Sequence, residues 1–431
     1  MAKFKTPKDQ AVSIDSPESL FRSLRPTDGQ VRHLWAHQAD LLRDYQKLSP
    51  ATPDVAIELP TGAGKTLVGQ LVGEYRRRVG GQRVAYLCPT IQLAKQAKEK
   101  ADAYGIPPVL LVGPQRDYDR VDVTAFNRGQ TMAISTYWGV FNSNPALGAQ
   151  TLILDDAHSG ENAVAGMWSV EAERGDPLYA AIVSPLIDAL PEAFAERLKS
   201  EGSDPYRRRV VELVPPLVMH ERADVLRDAL TEHAAGSNKW AAAMVADQVQ
   251  HCLCFVSGEG VLLRPLIAPT TVHPPFAAAQ QRVYMSATLG SGGELERTFG
   301  IEEITRLPVP AGWDEHGSGR RFFIFPGAAL DEAGADGFTV AAMERARRAL
   351  VLAPSGREVE SMIAAVPERF NVLYTRDAEQ DLNSLLESSD GAAFLANRYD
   401  GIDLPDDACR LMVLSGLPAA THLLERFLYE T

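Results

Sequence analysis

A lysine and a threonine placed directly after two glycines, and two adjacent aspartates well downstream, are the residues with the most specific chemistry in this chain. The segment Leu59-Pro60-Thr61-Gly62-Ala63-Gly64-Lys65-Thr66 follows the apolar run Val55-Ala56-Ile57 and precedes Leu67-Val68-Gly69-Gln70-Leu71-Val72. A strand that enters such a loop, with a helix beginning at once, turns consecutive backbone N–H groups onto a polyphosphate and adds the partial positive charge of the helix N-terminus. Thr61, Gly62, Ala63 and Gly64 would form the cradle, Lys65 would reach the β/γ-phosphates and Thr66 would ligate magnesium. Leu59 stands where the first loop glycine usually falls.

The aspartates Asp155 and Asp156 come straight after the apolar run Thr151-Leu152-Ile153-Leu154, with His158 closing the same turn. Carboxylates at the end of a buried strand suit the second half of an ATP site. Asp155 can hold magnesium, and Asp156 can orient a water toward the γ-phosphate. Upstream, Gln38 carries an amide that can both donate to and accept from an adenine edge. The expected cofactors are therefore ATP and Mg2+.

Positioning these groups takes a parallel sheet. Strand-like runs at 83–88, 109–112, 131–135 and 151–154 alternate with helical periodicity, as in Ile91 to Tyr104. That alternation predicts an α/β fold with helices on both sheet faces, and such sheets bind ligands at the carboxyl ends of their strands. Each polar motif falls at such an end.

Composition is that of an ordinary globular protein: 431 residues, 45% hydrophobic and 23% charged, long enough for two or three domains. No apolar run approaches the roughly 20 residues of a membrane span, and the N-terminus lacks the apolar core of a signal peptide. The expectation is a cytoplasmic protein without a membrane partner. Four cysteines, Cys88, Cys252, Cys254 and Cys409, sit mostly in apolar stretches, which suits reduced buried thiols. A net charge of −13 gives no global attraction to nucleic acid, so any such contact is local.

Taken together, these motifs resemble those of the superfamily-two DEAD/DEAH-box helicases. Leu59 to Thr66 resembles motif I, Cys88-Pro89-Thr90-Ile91-Gln92-Leu93 motif Ia, Asp155 to His158 motif II and Val283 to Leu289, with Ser286-Ala287-Thr288, motif III. Ala349 to Ser355 resembles motif IV and Phe394 to Pro405 motif V. The position of Gln38 upstream of the loop resembles that of the adenine-reading glutamine of helicases. The wording Gly401-Ile402-Asp403-Leu404-Pro405 is closest to the XPD and DinG type. Three departures stand out. Asp156 occupies the position of the usual glutamate, one methylene shorter. No cysteine lies between Cys88 and Asp155, so no iron–sulfur cluster is expected. The chain also stops at Thr431, before a motif VI that would supply an arginine finger, which a C-terminal segment or partner subunit would then provide.

The resemblance implies two RecA-like parallel-sheet domains with a mainly helical insertion in the first. The expected boundaries are a flexible leader at 1–20, domain 1 at 21–159 and 276–307, an arch-like insertion at 160–275, a linker at 308–320, and a C-terminally incomplete domain 2 at 321–431. Arg321 to Phe325 reads as the first strand of domain 2, and Arg426 as an ordinary solvated charge on an amphipathic helix. Gly401 and Asp403 would face the nucleotide from the second lobe. Thr90, Thr136, Ser355 and Arg398 are the candidates for contacts with a nucleic-acid backbone, single-stranded DNA being favoured over RNA. The function this implies is ATP-driven movement along a strand. The alternative is a nucleotide-controlled, nucleic-acid-binding scaffold subunit that does not unwind.

Overall fold

The computed structural model describes residues 14–27, 32–60, 62–199, 209–290, 292–309, 322–374, 385, 387–396, 404, 408–416 and 422–430. It divides into two compact units, 1–318 with 422–431, and 319–421.

The first unit opens with helices α1 (Pro17–Ser23) and α2 (Ala36–Lys47), then strand β1 (Asp54–Glu58), helix α3 (Lys65–Arg78), β2 (Val84–Cys88), α4 (Ile91–Ala103), β3 (Val109–Leu110), α5 (Arg120–Asn127), β4 (Ala133–Thr136), β5 (Thr151–Leu154) and α6 (Glu161–Gly166). After the insertion the chain returns through β10 (Gln281–Ser286), α13 (Glu294–Phe299) and β11 (Thr305–Arg306). The seven strands form one sheet in the order β11-β1-β10-β5-β2-β4-β3, every pair parallel. All the carboxyl ends therefore lie along one edge. The inner strands are apolar at nearly every position because successive side chains enter two different cores. Val55, Ile57, Tyr86, Ile153 and Met285 pack under α1 to α4. Their neighbours Ala56, Leu87, Leu152, Leu154 and Tyr284 face the other way, into a core shared with Trp168, Leu178 and other insertion residues. The insertion thus supplies the cover for one face of the sheet.

The insertion is mainly helical, with α7 (Pro177–Val183), α8 (Glu192–Lys199), α9 (Pro216–Glu221), α10 (Ala223–His233), α11 (Asn238–Val245) and α12 (Pro274–Ala277). It also contains an antiparallel sheet in the order β6-β9-β8-β7, made of β6 (Val170–Glu173), β7 (Val211–Leu213), β8 (Cys252–Ser257) and β9 (Gly260–Pro265). The apolar spacing from Asn238 to Cys254 also suits a helix, but Cys252 already starts β8. β-Branched and aromatic residues favour a strand there, and Gly258-Glu259 joins β8 to β9 as a tight hairpin. The return into the first sheet is fastened by a buried group. Arg282 donates twice to Asp54, at 2.6 and 2.7 Å, and once to the carbonyl of Phe276 at 3.0 Å, while the Tyr284 hydroxyl donates to Asp54 at 2.7 Å.

The second unit holds α14 (Glu332–Ala346), β12 (Arg348–Ala353), α15 (Gly356–Ile363), β13 (Asn371–Tyr374), β14 (Gly391–Ala396) and β15 (Leu411–Leu414). Its strands form a parallel sheet in the order β13-β14-β12-β15. Two expectations for domain 2 are corrected. Phe322 to Phe325 belong to no strand and are exposed, having no paired neighbour. The last helix, α16 (Leu423–Glu430), belongs to the first unit, where Leu423, Leu424 and Phe427 pack on Val211, Phe255 and Leu262 of the insertion sheet.

Candidate active site

The loop between β1 and α3 is shaped by two left-handed residues, Gly62 at φ 85° and Gly64 at φ 78°. A side chain would be strained at either position. At Gly64 it would also collide with Gln38, whose amide nitrogen lies 2.1 Å from where a Cβ would stand. Gln38 itself is buried and bonded at both ends of its amide. It donates to the Ala63 carbonyl at 2.9 Å and accepts from the Trp35 N–H at 3.1 Å, so it fixes the loop to the start of α2. Ala63 is fully buried, and Lys65 and Thr66 begin α3, where the unpaired N–H groups of the first turn point toward the loop. Thr61 lies outside the described residues.

The strand order places the carboxyl ends of β1 and β5 on either side of β10. This brings three sequence-distant motifs together. Lys65 Nζ donates to Asp156 Oδ1, and His158 Nδ1 shares a 2.6 Å hydrogen bond with the Ser286 hydroxyl. Asp156 has a left-handed backbone, φ 48°, a conformation aspartate tolerates better than most residues. Asp155 is the more buried acid. Its Oδ2 accepts from the Tyr86 hydroxyl at 2.6 Å and its Oδ1 from the Asp156 N–H at 3.1 Å, while the Tyr137 hydroxyl donates to its carbonyl at 2.9 Å. Burial, and then the neighbouring Asp156 charge, raise the Asp155 carboxyl from the ordinary 3.8 to about 6; Tyr86 and Lys65 pull it back down.

The arrangement fits a nucleotide with magnesium. Two positive-φ glycines, a helix N-terminus, a lysine and a threonine face phosphate chemistry, and Asp155 offers a carboxylate already oriented by two donors. Tyr86 and Tyr137 escaped the sequence reading because each lies inside an apolar run, where periodicity marks burial but not the group that a hydroxyl meets.

Thr90 caps α4, accepting from the Leu93 N–H at 3.2 Å, and Thr136 ends β4, largely buried; both stand on the carboxyl edge of the first sheet. Ser355 caps α15 in the second unit, accepting from the Glu358 N–H at 3.3 Å. Arg398, Gly401 and Asp403 lie outside the described residues. The four cysteines are unbonded to one another, and among the described residues no group of His, Cys, Asp and Glu side chains is gathered as a metal centre. Arg426, expected to be solvated, is 7% exposed: it donates to Glu259 at 2.8 Å and to the Arg209 carbonyl, and so secures α16.

Residues 37–166 match the DEAD/DEAH box helicase family model. The matched span includes the loop and the Asp155-to-His158 turn. Solved helicase structures share the fold across most of the chain. S. tokodaii Xpd4 is 14% identical with a TM-score of 0.50, the alignment covering 91% of this chain and 86% of that one. An apo XPD structure is 13% identical with a TM-score of 0.51, covering 88% and 84%. No curated protein matches. The chain is thus similar to helicases with two RecA-like domains, and the expected fold class stands.

Proposed function

We propose that this chain is an ATP-dependent helicase or translocase that couples ATP hydrolysis to movement on a single DNA strand. The observation that carries this reading is the linkage of three motifs on one sheet edge, Lys65 to Asp156 and His158 to Ser286. A metabolic kinase would use the loop and the acid but has no need for a histidine tied to a serine on the intervening strand. In this mechanism the loop N–H groups and Lys65 bind the phosphates, Thr66 and Asp155 hold the cation, and Asp156 orients the attacking water. Magnesium, when bound with ATP, neutralises charge on the β- and γ-oxygens. The His158–Ser286 bond lets a change at the γ-phosphate reach the β10 turn, where Thr288 N–H also bonds Ser286 Oγ at 3.2 Å. Gln38 reads adenine with the amide hydrogen and lone pair it has left. Gly401 and Asp403 are assigned to the nucleotide, and Thr90, Thr136, Ser355 and Arg398 to the strand. Arg426 is not the arginine finger in this reading, because its guanidinium already holds α16 in place; a partner subunit or another segment supplies that finger.

The test is the ATPase rate with single-stranded DNA, duplex DNA and RNA, run beside Lys65→Ala. Stimulation by single-stranded DNA, with at least a hundredfold loss in the lysine variant, is expected. Equal rates for parent and variant would sink the motor reading. Nucleotide and strand binding without stimulation would favour the scaffold.

A further inference from the structure

The turn after β4, Tyr137–Gly139, is a buried piece of chain with one exception. Tyr137, Gly139, Val140 and Phe141 are buried, whereas Trp138 between them is 51% exposed. Its ring nevertheless has a firm seat. A Cβ added to Gly166, at the end of α6, would stand 3.1 Å from the Trp138 ring, and the Gly166 backbone is not left-handed. A side chain there would press on the ring and shift it by a few tenths of an ångström, so the indole rests close against a position that has no side chain. The Asn142 amide also donates to the Trp138 carbonyl, holding the turn.

The location adds a second argument. In the strand order, β1, β10 and β5 carry the phosphate loop and the two acids, and β2 and β4 continue the same carboxyl edge away from them. That continuation presents Thr90, the exposed Ile91 and Trp138. A net charge of −13 repels a polyanion at long range, so the grip on a strand has to come from local contacts, of which stacking on an exposed ring is one that charge does not weaken.

We infer that Trp138, seated on Gly166, is a stacking platform for one base of a single nucleic-acid strand. The inference rests on the single-strand reading above. Stacking on an aromatic ring is indifferent to base identity, because every base presents a π-face. The platform therefore suits a protein that moves along a strand without reading it.

The experiment compares binding of labelled oligo-dT and of an abasic oligonucleotide of equal length by fluorescence anisotropy. It uses the full chain as parent, Trp138→Ala and Trp138→Phe, with thermal melts to verify folding. The parent should prefer oligo-dT over the abasic strand by on the order of tenfold, as one stacked base commonly contributes. Trp138→Ala should lose that preference while still binding the abasic strand like the parent, and Trp138→Phe should keep most of it. A Trp138→Ala variant that retains the parent's preference, or a parent that has none, overturns the platform alone. A parent that binds neither oligonucleotide overturns the single-strand reading and the platform with it. Should Trp138→Ala melt early, Gly166→Val, which displaces the ring from its seat, gives the same comparison.

Discussion

At the scale of single residues, the site depends on how a buried carboxylate is kept ready for a cation. Tyr86 lies one strand away from Asp155 and gives it a short hydrogen bond. Tyr86→Phe keeps the ring volume but removes the donor, and a hydrogen bond to a charged group is worth about 1.5–3 kcal/mol. Magnesium-dependent binding of a fluorescent ATP analogue should weaken about tenfold or more, with binding in EDTA little changed; equal losses in both conditions would show that Tyr86 supports the fold only. Asp155 also leaves a signature in stability. Its folded value of about 6 lies above the ordinary 3.8, so the native chain holds a proton that the unfolded chain releases, and stability declines as pH rises from about 4 through 6. That gap of roughly two pH units corresponds to about 3 kcal/mol at most. In magnesium-free buffer Asp155→Asn should therefore gain on the parent by up to that amount between pH 4 and pH 7, measured by urea unfolding. An unchanged difference would show that Asp155 is ionised throughout. Of the residues named from sequence reasoning, Lys65 is bonded to Asp156 and Asp156 to its neighbour Asp155, and these were legible because glycine spacing and strand-end acids are local signals. Their partners Tyr86, Tyr137 and Ser286 depend on which strands lie side by side, and a linear pattern does not carry that information.

Among the elements, α16 shows how a correct local reading can miss its destination. The helix was legible from its amphipathic pattern, and the packing surface for its apolar face, β7 and β8, was not, because the apolar residues of β8 follow directly on a stretch with helical spacing. Arg426 completes that docking through Glu259 and the Arg209 carbonyl. Glu259 is about half exposed, so the ion pair is partly screened and the larger loss on truncation is the buried guanidinium's packing and hydrogen bonds. Arg426→Ala should cost about 1–2 kcal/mol and raise hydrogen exchange in β7 and α16 before it does so in β1 or β5. Uniform exchange across both sheets would show that α16 is no separate element of stability. The parallel sheets were the most legible feature of the fold, since continuous apolar runs separated by helices leave few other arrangements. The antiparallel sheet of the insertion was hidden because β8 continues the apolar pattern of the helical stretch before it.

Across the whole molecule, the thiols report how well each part excludes solvent. Burial pushes Cys252 up to about 12 and Cys88 and Cys254 well above the ordinary range, so none is a reactive thiolate at neutral pH. Cys409, in the second unit, is only partly buried and donates to the Leu411 carbonyl at 3.1 Å. A thiol reagent at pH 7.5 should label Cys409 first and the other three only under denaturant. Early labelling of Cys252 would mean that the insertion opens more readily than the second unit.

Because α16 follows the second unit in sequence yet completes the first, the whole second sheet is an excursion between two parts of one core. On a ribosome, β7 and β8 leave the exit tunnel long before the helix that covers them, and the contact between Arg426 and Glu259 closes a loop of 167 residues. Closing so long a loop is slow compared with forming the local hairpin of β8 and β9. Nascent chains should therefore carry an uncovered apolar sheet around Phe255 until translation has passed Phe427, and that interval is when a chaperone has most to hold.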